Sequence, residues 1–136
     1  MERPHLEFNL RKSFPGFELK VEAALPPGIT AVFGPTGSGK TTLLSCVAGV
    51  CSPDEGEVLL AGRTLYSSHR RVRLPPEERH VGYVFQEPLL FPHLSVRDNI
   101  YYGFSLTAQE RRKVSPLQLI ELLELGPLLQ RRPEGL

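Results

Sequence analysis

Apolar and polar positions alternate along the start of the chain: Leu6, Phe8 and Leu10, then Phe17, Leu19 and Val21 after Ser13-Phe14-Pro15-Gly16. Side chains on a strand point to opposite faces in turn. This period of two therefore predicts two half-buried strands joined by a turn and paired antiparallel. The pattern changes after Pro26-Pro27-Gly28. Ile29-Thr30-Ala31-Val32-Phe33 is a nearly continuous apolar run, and Val81-Gly82-Tyr83-Val84-Phe85 is a second. Runs of this kind suit strands buried on both faces, as in a parallel sheet covered by helices. Within residues 41–50, Leu43, Leu44, Val47 and Ala48 recur at helical spacing. Further strands are predicted at 57–61 and, briefly, at 64–66. Residues 67–80 are polar, basic and broken by proline, which predicts a surface excursion.

Helix signals dominate the last third. Ser95 is placed to N-cap a short helix running to Tyr101. Thr107-Ala108-Gln109-Glu110 and Ser115-Pro116-Leu117-Gln118 both have the spacing of a capping box, the second with proline at the first helical position. A helix from residue 116 to about 125 is expected to end at Gly126, a natural left-handed C′ residue.

Composition narrows the class without naming a function. The chain has 136 residues, 40% apolar and 23% charged, with a net charge of +1. That is an ordinary globular balance, and it offers no basic field for a nucleic acid or an anionic membrane. Twelve glycines and 13 prolines predict many short elements joined by tight turns. Cys46 and Cys51, five apart, match neither a C-x-x-C redox pair nor a zinc knuckle; Cys46 is expected to pack as a small hydrophobe. Met1-Glu2-Arg3-Pro4-His5 leads into no signal-peptide core, and no apolar stretch approaches a membrane span. These features together predict a cytosolic protein in a reducing compartment.

One stretch carries explicit chemistry. Gly34-Pro35-Thr36-Gly37-Ser38-Gly39-Lys40-Thr41 satisfies G-x-x-x-x-G-K-[ST] in full, after an apolar run and before an amphipathic helix. Glycines let the backbone curl so that its N–H groups face inward as an anion nest, and the helix start adds its positive dipole end. Lys40 supplies a charge toward the β- and γ-phosphates of a nucleotide. Thr41 is suited to ligate Mg²⁺, and Thr42 to donate to the α-phosphate. A chance match in a chain of this length is on the order of one in a hundred.

The loop alone does not separate a kinase from a motor or a transporter subunit. Val81-Gly82-Tyr83-Val84-Phe85-Gln86-Glu87 adds a glutamine at the end of an apolar run, where open α/β sheets bind ligands. On the residues alone, Gln86 reads equally well as a polar strand cap. The phosphate loop, VGYVFQ some forty residues on, and LFPHLSVRDNI together resemble the ATP-binding subunits of ABC importers across essentially the whole chain. The run from Arg73-Leu74-Pro75-Pro76-Glu77-Glu78-Arg79 through VGYVFQEPLLFPHLSVRDNIYYG most resembles the molybdate-import type; sulfate, iron and sugar importers share much of this wording.

The resemblance implies an α/β fold: a P-loop NTPase core of the ABC ATPase kind, incomplete, with an N-terminal antiparallel β-subdomain. Residues 1–28 and 56–80 would form the β-subdomain and excursion, 29–50 and 81–86 the core, and 95–136 the start of the helical subdomain. It also implies ATP and Mg²⁺ as ligands, with Gln86 touching the metal and the lytic water. An aromatic ahead of the loop would stack on adenine; Phe14 is the candidate, with Phe17 its rival. Residues 86–96 would meet a membrane permease, although Leu89-Leu90-Phe91 also suits packing beneath a helix. A second ATP-binding subunit would complete the site in the full-length form, on the inner face of the cell membrane.

The family pattern continues to an LSGGQ signature, an Asp-Glu pair after a core strand and a switch histidine. None of these occurs in residues 1–136, and neither His5, His69, His80 nor His93 matches the switch. The expectation is a chain cut short before its signature motif and inactive alone. Two other readings remain: a nucleotide-kinase-type phosphotransferase, for which Arg70-Arg71-Val72-Arg73 would have to act as a lid, and a non-enzymatic module docking on a permease.

Overall fold

The structure, a computed structural model, describes residues 5–136, the Arg111 side chain excepted. The opening Met1-Glu2-Arg3-Pro4 lies outside the described residues. Two compact units divide the chain, one running to Val84 and the other spanning Phe85–Leu136.

Strands β1 (Leu6–Phe14) and β2 (Phe17–Leu25) pair antiparallel from Leu6↔Leu25 to Phe14↔Phe17, as the alternation predicts. Pro15-Gly16 makes the turn, and Gly16 takes the positive φ of +78° that a side chain resists. Strands β3 (Glu55–Leu60), β4 (Arg63–Ser67) and the two-residue β5 (Val72–Arg73) extend the sheet in the order β2-β1-β3-β4-β5. Every pairing in it is antiparallel.

Helix α1 (Lys40–Ala48) and the sheet share the hydrophobic core. Phe8 and Leu10 of β1, Leu19 of β2, Val58 of β3 and Leu65 and Tyr66 of β4 cluster with Leu43 and Cys46. The helix buries Leu43, Cys46 and Ala48, whereas Leu44 is 48% exposed. Residues three or four apart share a helix face, so Leu43, Cys46 and Val47 form one stripe against the sheet. Fully burying a Leu- or Val-sized side chain contributes about 1.5–3 kcal/mol. This cluster therefore outweighs surface ion pairs such as Arg11–Glu18, which solvent screens.

The two apolar runs expected as core strands are not strands. Residues 29–33 and 81–85 enter no ladder, and Ile29, Phe33 and Val84 are 104%, 92% and 95% exposed. A strand exists only as a partner in hydrogen bonding, and no strand among the described residues pairs with either run. The excursion is more ordered than its composition suggests: it contributes β5 and a short helix α2 (Pro76–Arg79).

In the second unit, α3 (Val96–Leu106) starts at Ser95, whose hydroxyl accepts from the Asp98 amide (3.1 Å) and donates to the Asp98 carboxylate (2.7 Å). The helix runs past Tyr101 to Leu106. Thr107 opens no helix. Its hydroxyl donates back to the Gly103 carbonyl (2.8 Å) at the end of α3, and residues Gln109–Arg111 form only a 3-10 turn. Helix α4 (Pro116–Leu122) begins at the predicted proline but ends early. Glu124 takes the left-handed conformation (φ +53°), and Gly126 opens a 3-10 turn instead.

Candidate phosphate loop and its surroundings

Gly37 and Gly39 both have left-handed φ, +81° and +91°, and these two residues bend the chain from the apolar run into α1. Ser38 N–H donates to Pro35 O (3.2 Å), closing the turn. At Gly34, a Cβ would stand 2.8 Å from Ser38 Oγ, a hydroxyl free to rotate away. The first bond of the helix runs from Leu43 N–H to Gly39 O (2.8 Å), which leaves the Lys40, Thr41 and Thr42 amides without intrahelical acceptors. Donors at a helix N-terminus, together with its dipole, favour an anion.

Lys40 Nζ donates to the carbonyls of Gly34 and Pro35, 2.8 Å each. The side chain folds back over the loop and holds its charge there. Thr41 is exposed in the first turn, and Gln86 is exposed in the second unit. A threonine hydroxyl and an amide oxygen are hard, neutral donors of the kind Mg²⁺ accepts beside phosphate and water. The loop thus fits a nucleotide phosphate chain, and Thr41 in its first helical turn is a donor of the kind the accompanying metal takes.

Ahead of the loop the two aromatic candidates take different positions. Phe17 is half-buried and packs against the core; a Cβ on Gly39 would lie 3.0 Å from its ring. Phe14 stacks on Phe17 with centroids 6.4 Å apart and planes at 23°, carries Lys12 Nζ 5.6 Å above its ring, and is 41% exposed. Phe14 therefore retains accessible ring surface, one ring removed from the loop.

Two side chains missed in the sequence organise the neighbourhood. Arg79 is 2% exposed, and its guanidinium donates to the carbonyls of Leu74, Cys46 and Val47 at 2.8–2.9 Å. Its signal in the sequence is a charge two residues before an apolar run. Asn99 accepts from Phe91 N–H (2.8 Å) and donates to the carbonyls of Phe91, Leu94 and Ser95, fixing the loop before α3. An asparagine in a first helical turn, a poor helix former, was the hint there. In this loop Leu89, Leu90 and Phe91 are 65%, 41% and 41% exposed, and the Phe91 ring lies 4.6 Å from that of Tyr102.

A groove of about 600 Å³ lies on the outer face of the sheet, lined in part by Arg11, Glu18, Glu55 and His69 rather than by the glycine loop. Arg11 is already paired with Glu18 and Glu55.

Both thiols are free. Cys46 is fully buried, and burial is the first cause that pushes its pKa up to about 12. Alkylation needs the thiolate, so iodoacetamide at pH 8 is expected to label Cys51 well before Cys46 in the folded chain. Peptide mapping by mass spectrometry checks this; equal labelling would mean that the core between α1 and the sheet opens readily.

The ABC transporter family model matches residues 20–135. The molybdenum import ATP-binding protein ModC of Paramagnetospirillum magneticum is 46% identical over 131 residues, covering 96% of this chain and 36% of that protein. Its counterpart in Pseudomonas aeruginosa is 45% identical over 132 residues, covering 96% and 37%. That of a Shewanella strain is 46% identical over 134 residues, covering 96% and 35%. The chain thus spans little more than a third of the length of these curated relatives.

Proposed function

The chain belongs to the ABC transporter family, with the P-loop NTPase fold that this implies, and we propose that it is the nucleotide-binding portion of an importer subunit. The single observation that carries this reading is the loop from Gly34 to Thr41, with two left-handed glycines, a lysine folded over it and free helix amides at its end. ATP binds there through its phosphates: the amides from Gly37 to Thr42 surround them, and Lys40 offsets their charge. Thr41 would hold Mg²⁺, with Gln86 assigned to the same ion by family resemblance alone, and the metal would supply neutralisation of the phosphate charge. Gln86 also orients the attacking water in the complete enzyme, and Phe14 stacks on adenine.

The imported solute is molybdate or a similar oxyanion, a proposal supported by the names of the relatives just described. Residues 86–96, with the exposed Leu89, form the surface for a membrane permease, and a second ATP-binding subunit faces the first. No helix among the described residues is long and apolar enough to cross a membrane. Attachment to the inner face of the cell membrane through that permease is part of the same proposal.

Calorimetry of the 136-residue polypeptide with MgATP tests the reading. Lys40→Ala is expected to weaken binding by about tenfold or more, in line with a charge-assisted hydrogen bond worth ~1.5–3 kcal/mol. Equal affinities would sink the proposal. Phosphate release by the same polypeptide is expected to stay at background, because an LSGGQ segment and a carboxylate after a core strand are not among residues 1–136. Turnover abolished by Lys40→Ala would refute that part.

A further inference from the structure

The ladder between β1 and β3 ends at Arg11↔Glu55, whereas β1 runs on to Phe14 against β2. Asp54, the residue before β3, takes over where that ladder stops. Its amide donates to Arg11 O (2.8 Å). One of its carboxylate oxygens accepts from Ser13 N–H (2.7 Å) and the other from Lys12 Nζ (2.8 Å). A single residue thus holds the three positions that lead into Phe14. The Lys12 hydrogen bond, and after it that of the Ser13 amide, keep the Asp54 carboxyl below the usual carboxylate range.

Residues two apart on a strand share a face. Lys12 and Phe14 therefore lie on the side of β1 that carries Phe8 and Leu10, and Lys12 Nζ stands 5.6 Å over the Phe14 ring. Phe17 is the cross-strand partner of Phe14 and stacks on it, and a Cβ on Gly39 would lie 3.0 Å from the Phe17 ring. Asp54, Lys12, Phe14, Phe17 and Gly39 are successive neighbours, all inside the unit that runs to Val84. An exposed ion pair adds little to stability, but hairpin tips are where a fold is loosest. What Asp54 governs is the place of the tip.

We propose that Asp54 is a positioning residue for the nucleotide base: it fixes the end of β1, and with it the Phe14 ring, beside the phosphate loop. The idea rests on the nucleotide reading above and extends it to a residue outside the glycine loop. Stacking on an aromatic ring tolerates any base, but it needs the ring in place. A ring already held binds a base without the cost of ordering a loose tip. Asp54 therefore acts on the base and leaves the phosphates alone.

Calorimetry of the 136-residue polypeptide with ATP and with inorganic tripolyphosphate, each with Mg²⁺, tests this, because the second ligand has the phosphates and no base. The readout is the ratio of the two affinities. Phe14→Ala is expected to lower it about tenfold, and Asp54→Ala about three- to tenfold while tripolyphosphate affinity holds. Asp54→Asn keeps an acceptor for Ser13 N–H but lacks the charge for Lys12, and should fall between wild type and Asp54→Ala. Adding Asp54→Ala to Phe14→Ala should lower the ratio no further. A wild-type ratio in Asp54→Ala, a parallel fall for both ligands, or additive losses in the double variant would overturn the proposal. So would a wild-type ratio in Phe14→Ala, since Asp54 would then have no stacking ring to place. Should Asp54→Ala lose its far-UV circular dichroism, Asp54→Asn is read in its stead against the same outcomes. Lys40→Ala separates the two readings, being expected to weaken both ligands. If it changes neither affinity, the nucleotide reading fails and takes this inference with it; loss at Lys40 beside an unchanged ratio in the Asp54 variants removes the Asp54 proposal alone.

Discussion

Gly56→Ala is expected to cost the first unit about 3 kcal/mol or more, a large part of the stability of an ordinary domain. Gly56 sits inside β3 opposite Leu10 of β1, at φ +110°, a conformation that side chains resist. A Cβ there would stand 1.8 Å from the Asn9 carbonyl oxygen, which is backbone and has no other place to go. The peptide at this position is also bound from the far side: Gly56 N–H donates to Ser68 Oγ (3.0 Å), and Ser68 N–H donates to Gly56 O (3.0 Å). Relief in one direction therefore breaks bonds in the other. Hydrogen exchange resolved by residue is the measurement, since β1 and β3 amides should lose protection by roughly a hundredfold, the factor that ~3 kcal/mol represents. Wild-type protection in the Ala variant would show that the strand shifts freely.

The second large effect concerns association. Ile29, Phe33 and Val84 are almost completely exposed, and Val32 and Phe85 are 44% and 41% exposed. Each large apolar side chain left in water forfeits about 1.5–3 kcal/mol relative to burial. The polypeptide is expected to self-associate at micromolar concentration, seen as mass above that of the monomer by light scattering. Ile29→Thr, Phe33→Ser and Val84→Thr together should restore the monomer at little cost to its stability. The same changes in a buried strand would remove several kcal/mol. A monodisperse wild-type chain that melts cooperatively, with residues 29–33 protected from exchange, would defeat this expectation.

Elements driven by near neighbours could be read directly. The hairpin of β1 and β2 follows from period-two alternation on both sides of Pro15-Gly16, because one register puts Phe8, Leu10 and Leu19 on a single face. Ser95 caps α3 through its own hydroxyl and a residue three positions on. The glycine loop carries its chemistry in eight consecutive residues, and its left-handed glycines fall within them. Such features draw their free energy from groups a few residues apart, so order along the chain is enough to specify them.

Tertiary structure decided the rest. The order of residues shows that 29–33 and 81–85 are nearly continuous apolar runs, but whether such a run becomes a strand depends on a partner elsewhere, and neither run has one in the sheet among the described residues. Leu44 and Cys46 are comparable in the pattern of α1, yet the position of the sheet buries Cys46 and leaves Leu44 outside. Arg79 reads as one more charge in a polar stretch. Only folding brings it to the carbonyls of Cys46 and Val47, 33 and 32 residues back along the chain. Burial of a charge is stable only where acceptors converge on it, and convergence across that distance is a property of the packed chain, invisible in the order of its residues.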